Sequence, residues 1–521
     1  MEPSSSGTPV PASRAAARGV RRPWLAFAII MVAVLVVSMD NSILYIALTT
    51  LAQGPPEGLG ASPSQLQWFS DAYILAYAGL LLAGGVMGNR FGHRRVVLTG
   101  LLGFGVFSAA SAVASSPGRL IVCRALMGLC AAFLMPATLA IITYLFPGQA
   151  RARAISIWSA VVGAALAIGP IVAGALLAHF WWGSVFLVNV PVILLGLITI
   201  PLLIPEFREK SRRRFDPLGT LLGAAGLVGL VFGVIRAGDR SSWLDAQVLV
   251  PISVGLVLLT GFALWELHTA HPALDVHFFA DRGFTVAVVA LALLFFALFG
   301  SVFVMTFYMQ EIRDYTALRT GLCVLPLAAA MILAAPMVPR GVARFGARAV
   351  AGVGMLIVAA TLAGLAQAGR VTPIWQFEAG IFALGMGMAF VLPPMTTRIV
   401  STLPQDQAGT SSAVNNTFRQ VGGSFGVAVL GTILAGRYRS AVAPVLAPLP
   451  EGLRSRAETS ITATRQILTH LGVQRPGMFK GAVDAFIQAQ RLTWSIAAII
   501  TLAGAILIVT TYRPLQERSP L

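Results

Sequence analysis

The sequence predicts an all-α, polytopic membrane protein with fourteen transmembrane helices, and three observations predict it. Of its 521 residues, 57% are hydrophobic, 52 are glycine and only 11% are charged, whereas soluble domains carry about 25% charged residues. The chain divides into apolar stretches long enough to cross a hydrocarbon core of about 30 Å. Landmarks also recur at one fixed offset. So few charges cannot cover a globular surface, which excludes a soluble enzyme, a disordered chain and a secreted disulfide scaffold. Cys123, Cys130 and Cys323 lie in apolar stretches; the first two are seven residues apart on one predicted helix, too far to bridge, and all three read as packing residues.

Residues 1–23 form a polar tail with Arg14, Arg18, Arg21 and Arg22, expected in the cytoplasm. A first six-helix half, 24–205, holds spans near 24–52, 65–88, 96–115, 118–145, 155–178 and 184–205. A linker, 206–282, carries two extra spans near 217–237 and 246–268. The second half, 283–513, holds spans near 283–309, 318–338, 349–368, 373–397, 407–435 and 489–513, with a long extracytoplasmic loop at 436–488; residues 514–521 are a cytoplasmic tail. Backbone polar groups must be satisfied inside lipid, so the spans are helices. Pro136, Pro170, Pro191, Pro326 and Pro336 fall inside them and predict kinks. With the N-terminus inside, inner segments hold 21 Lys and Arg and the short outer loops 6, which predicts both termini in the cytoplasm. The 436–488 loop is basic and dissents. Its amphipathic stretch, Leu453–Ala457–Ile461–Ile467–Leu471, predicts a helix lying on the membrane surface.

Arg90-Phe91-Gly92-His93-Arg94 follows helix 2, and Arg344-Phe345-Gly346-Ala347-Arg348 follows helix 10, 254 residues later. The same offset carries Gly169 in helix 5 onto Gly423 in helix 13, and helix 4 onto helix 12. Two parallel six-helix repeats characterise transporters that rock one half against the other around a central site.

Four stretches, in order, resemble the major facilitator superfamily, and within it the fourteen-helix drug:proton antiporters. S-M-D-N-S-I-L-Y-I-A-L at 38–48 is similar to that family's acidic helix 1 signature, and G-V-M-G-N-R-F-G-H-R-R at 85–95 to its helix 2–3 loop motif. R-A-L-M-G-L-C-A-A at 124–132 is similar to the helix 4 arginine motif, and G-P-I-V-A-G at 169–174 to the helix 5 antiporter motif. Q-W-F-S-D-A-Y at 67–73 and W-W-G-S-V-F-L-V-N-V-P at 181–191 look like the branch that exports quaternary ammonium compounds. The resemblance implies the major facilitator fold, two six-helix halves plus two inserted helices, with conformational gating by Gly85, Asn89, Arg90, Gly92, Arg94 and Arg95. It gives Gly169, Pro170 and Gly174 the sealing role of the antiporter motif. Asn89 stands where the motif usually has Asp, His93 where it has a basic residue, Ala173 where it has Gly, and the proline that often ends the helix 1 signature is missing at Thr49.

Most of the twenty acidic residues sit in loops, but Asp40, Asp71 and Glu378 fall within predicted helices 1, 2 and 12. A buried carboxylate either pairs or holds a proton; one that alternates between the two carries protons. Asp40 is the expected coupling residue. Arg124, like Arg419, sits within a helix and is Asp40's expected partner, because helices 1 and 4 share one half in this superfamily; a static ion pair is the bland alternative. Trp68 and Asp71 share a helix face, as do Trp375 and Glu378, and an aromatic beside an acid suits a lipophilic cation. The alternative is an interfacial Trp anchor with a wet acid at a helix end. His268, His271 and His277 do not share a face, so no metal site is expected. No G-x-x-x-x-G-K-[ST] occurs, so no cofactor is expected and the proton gradient rather than ATP is the expected drive. The sequence thus predicts a non-enzymatic, monomeric antiporter in a bacterial plasma membrane, exchanging an amphipathic, cationic drug for protons, with lipid and no nucleic acid as its surroundings. Export of an endogenous metabolite or antibiotic shares every motif, and uptake symport is disfavoured by the helix 5 motif.

Overall fold

A computed structural model describes residues 22–51, 54–55, 58–61, 63–207, 216–240, 243–269, 274, 276–403, 408–470 and 476–512. Residues 1–21 and 514–521 of the expected tails, and Leu471, lie outside them. The described residues contain helices and no strand. The first half comprises α1 (Pro23–Leu51), α2 (Pro63–Phe91), α3 (His93–Ala112), α4 (Pro117–Leu145), α5 (Gly148–His179) and α6 (Ser184–Leu203). The inserted pair is α7 (Pro217–Arg240) and α8 (Ala246–His268). Next come α9 (Arg282–Phe307, continued by a π-turn), α10 (in two pieces, Ala317–Leu322 and Leu325–Ala334), α11 (Met337–Leu365), α12 (Ile374–Thr402) and α13 (Ala408–Leu446). Short α14 (Glu451–Ala457) and α15 (Ile461–His470) precede α16 (Pro476–Thr511). The end at which α1 begins and α16 stops is termed the terminal end below.

Among the described residues twelve helices are long and apolar enough to cross a membrane. Bent α2, whose pieces Trp68–Leu81 and Ala83–Phe91 meet at 54°, makes a thirteenth, and the apolar Arg319–Ala334 of α10 is shorter. The expected span at 318–338 is met by both α10 pieces and the start of α11, which breaks at the non-helical Gly346 before its longer part. Pro326 falls in the first turn of the second α10 piece, where a missing N–H costs nothing. Pro336 is the cap of α11 rather than a mid-helix kink. By contrast Pro136 and Pro170 do lie inside α4 and α5.

The amphipathic stretch of the 436–488 segment does not lie on lipid. α13 and α16 extend into that segment, and Ala457 and Ile461 are buried in the same apolar core as Tyr438, Val442 and Phe486 of those two helices. Tyr438 Oη and Thr464 Oγ1 are 2.7 Å apart, and Arg465 pairs with Glu311 and Asp314 beyond α9. An apolar stripe finds whichever dry surface is nearest, and here the lengthened helices supply one of protein.

Each half has its own core, and the two meet along definite seams. α2 packs on α13, and α5 packs on α10 and α12; α7 leans on both α2 and α13. Ala160 and Ala164 of α5 join the second half's core, and Val400 of α12 joins the first's.

Candidate functional site

Asp40 and Arg124 meet. Arg124 Nη1 donates to Asp40 Oδ2 at 2.5 Å with both side chains buried (0% and 1% exposed). α1 supplies the acid and α4 the guanidinium, eight residues into a helix opened by Pro117 and capped by Ser116. The acid's second oxygen accepts from Asn189 Nδ2 at 2.9 Å, and the same amide donates to Ser108 Oγ at 3.1 Å. Arg124 Nε donates to the Phe69 carbonyl at 3.0 Å, and Tyr73 offers its ring 4.4 Å from Arg124 Cζ. Groups from α1, α2, α3, α4 and α6 thus hold one carboxylate in a dry place. Removing one partner of such a pair typically costs about 3–5 kcal/mol. Asn189 lies in the 181–191 stretch but carried no expectation; a lone amide in an apolar run was the signal.

The helix 5 motif lies against this cluster. Ser42 Oγ, two residues past Asp40, donates to the Ala165 carbonyl at 3.2 Å. A side chain at Gly169 would collide with Ser42 Oγ and come within 3.0 Å of the Met39 carbonyl. Pro170 in turn touches the other half, because a methyl at Gly321 of α10 would sit 2.6 Å from Pro170 Cβ. Gly174 is half-buried one turn further along.

At the terminal end, Gly85 of α2 faces Gly409 of α13 so closely that a methyl on either would strike the other's carbonyl. Asn89 bridges the same junction, accepting from Gly409 N at 3.0 Å and donating to Thr410 Oγ1 at 3.2 Å. Gly92 has φ +101°, a conformation costly for residues with a Cβ. A Cβ there would also strike the Glu206 carboxylate. That carboxylate accepts from the backbone N–H groups of Arg94 and Arg95 at 3.1 and 3.2 Å, at the N-terminus of α3. Both guanidinium groups lie within 3.8 Å of it. Burial pushes the Glu206 carboxyl above its usual range, against the pull of those amides and charges. Glu206 was not among the expected residues, since nothing local marks one loop acid from another. Arg90 is exposed, its Cζ 5.6 Å from the Phe91 ring centroid.

The two acid–aromatic pairs fare differently. Trp68 stacks toward Phe232 of α7, with Arg236 Cζ 5.7 Å from its ring, so the protein's own cation occupies that aromatic; Asp71 is half-buried. Trp375 is 65% exposed on the first turn of α12 and Glu378 half-buried, an arrangement suited to an interfacial anchor. The structure does not bring the two pairs together. No cluster of His, Cys, Asp or Glu suited to a metal ion occurs among the described residues.

One group the expectations left aside lies between the halves. Arg419 of α13 is buried, with Cζ 4.4 Å from the Phe295 ring of α9 and 5.2 Å from the Trp158 ring of α5. Its position is about 16 Å along α13, well inside an apolar helix long enough to cross a membrane. A charge there costs at least about 2.5–3.5 kcal/mol, and a desolvated cation–π contact returns up to about 2 kcal/mol.

The chain matches the Major Facilitator Superfamily model over residues 30–427. It is 33% identical to a tetracenomycin C resistance and export protein of Streptomyces glaucescens, over 97% of this chain and 95% of that one. It is also 33% identical to the multidrug efflux pump LfrA of Mycolicibacterium smegmatis, over 94% and 97% of the two chains. Among solved structures, the human organic anion transporter MFSD10 superposes with TM-score 0.61 at 14% identity, over 93% of this chain and 99% of that one, a likeness of fold alone.

Proposed function

The chain belongs to the major facilitator superfamily, and on that premise we propose a proton-coupled antiporter that exports amphipathic drugs or toxic compounds across the plasma membrane, driven by the proton gradient and not by ATP. The observation that carries the coupling is the buried Asp40–Arg124–Asn189 cluster beside Gly169. With Asp40 ionised, the pair holds α1 to α4. A proton on Asp40 removes the charge that anchors Arg124, whose remaining partners are the Phe69 carbonyl and the Tyr73 face. α1 is then free to shift against α5 at Ser42–Gly169, and Pro170 transmits that shift to Gly321 in the other half. The coupling requires only that the proton bind one arrangement of the halves better than the other.

Export rather than uptake is supported by the relatives, whose names speak of resistance, export and efflux. The cationic cargo expected from the sequence gains no support from Asp71 and Glu378, because Arg236 already faces Trp68 and Trp375 is exposed. A second reading, export of an antibiotic or other product of the cell itself, is supported by the tetracenomycin C exporter's name; substrate profiling of a knockout separates the two. The deciding experiment on coupling is Asp40→Asn in proteoliposomes. Substrate-induced proton release disappears while the protein elutes and melts as a folded species; unchanged release in that variant refutes the assignment.

A further inference from the structure

We propose that Arg419 is the docking point for an anionic group of the cargo, so that the transported compounds pair an aromatic body with a carboxylate, phenolate or enolate. The inference rests on the export reading and names the substrate class of its central site. Arg419 is 6% exposed and its charge lies against both halves, yet no carboxylate pairs with it among the described residues. Its nearest hydrogen-bond acceptor is Asn416 Oδ1, at a long 3.4 Å, and its Nε–H has none. The phenol of Tyr77 on α2 is the other group that acts on it electrostatically. Elsewhere the chain does neutralise its buried guanidinium groups. Arg124 has Asp40, and Arg398 has Asp281 at 2.6 Å.

The surroundings are also short of acceptors. Trp158 is fully buried, and its indole N–H donates to nothing. Its ring is the one 5.2 Å from Arg419 Cζ, so two unsatisfied donors share one neighbourhood. The Trp158 ring of α5 and the Phe295 ring of α9 both lie beside the guanidinium, whose N–H groups are the part able to bind an acceptor. A planar fork of donors matches a carboxylate bidentately, and flanking rings suit a flat apolar body. The contacts come from both halves, α9 and α13 on one side and α2 and α5 on the other. A ligand bound there bears on the seam that must part during alternation.

The test uses two flat aromatic probes of similar size and opposite sign, naphthoate and naphthylmethylammonium, titrated into the purified full-length protein. The wild type binds the anion at least tenfold tighter. Arg419→Gln loses that preference, while Arg419→Lys keeps its sign at reduced affinity. Equal or stronger cation binding by the wild type overturns the proposal, as does an undiminished anion preference in Arg419→Gln. Should the Gln variant not fold, the wild-type preference and the Lys variant still decide. Proton release is recorded separately on the same wild-type preparation, so that anion binding without any substrate-induced release sinks the antiport reading and leaves the anion site standing.

Discussion

The loops 90–95 and 344–348 share a sequence pattern and a backbone, and they differ in what surrounds them. Gly92 has φ +101° and Gly346 φ +80°, so the recurring glycine serves the same turn in both halves. Around Gly92 the turn is clamped, with Glu206 taking the Arg94 and Arg95 amides. Around Gly346 nothing lies within 4 Å of where a Cβ would be, and Arg348 instead reaches the Val509 carbonyl of α16. The same asymmetry holds deeper in the bundle. The positions 254 residues after Asp40 and Arg124 are Leu294 and Glu378. A duplicated chain can keep a backbone turn in both copies while one copy alone carries the ion pair and the clamp.

The comparison can be broken most severely at the seam. Gly85→Val drives a side chain into the Gly409 carbonyl, so α2 and α13 cannot close; export should fall at least tenfold, with cysteines placed near that junction becoming permanently accessible to thiol reagents. Next in size is the pair of glycine substitutions. Gly92→Ala meets both the positive-φ strain, about 1–2 kcal/mol, and the Glu206 carboxylate. Gly346→Ala meets the strain alone. Melting temperatures should therefore fall further for the first, and equal losses would deny that the clamp distinguishes the loops. Asn89→Asp is smaller and of opposite sign. It places a negative charge at the N-terminus of α13, worth about 0.3–1 kcal/mol, and should close the terminal end by roughly two- to fivefold in the same accessibility assay.

The smallest effect is one of pH. Burial raises the Asp281 carboxyl, but the amides of Phe284 and Gly283 and the Arg398 guanidinium outweigh it, so the carboxyl lies below its usual value. Its contribution to stability is thus complete above the unfolded carboxyl's pKa near 3.8 and disappears as pH falls through the lower folded value. Asp281→Asn should flatten the melting-temperature profile only in that acid window.

Much of the fold was legible because lipid imposes it. Helix, span length and the duplicated register follow from backbone satisfaction and apolar composition, and the glycine at 92 and 346 marks its own turn. Asp40 was legible because charges inside apolar helices are few, and Arg124 as its partner because the family resemblance places helices 1 and 4 in one half. What the sequence could not supply were partners brought in from distant positions. Asn189, Glu206 and Gly409 acquire meaning only when α6 and α13 arrive beside α1, α3 and α2. The same holds for the direction in which Trp68 turns, toward α7, and for the apolar stripe near Ile461, which chose protein over lipid. Composition and periodicity are local sums that fix where a helix runs; which face meets which charge depends on distances across the bundle, and those exist only after it has packed.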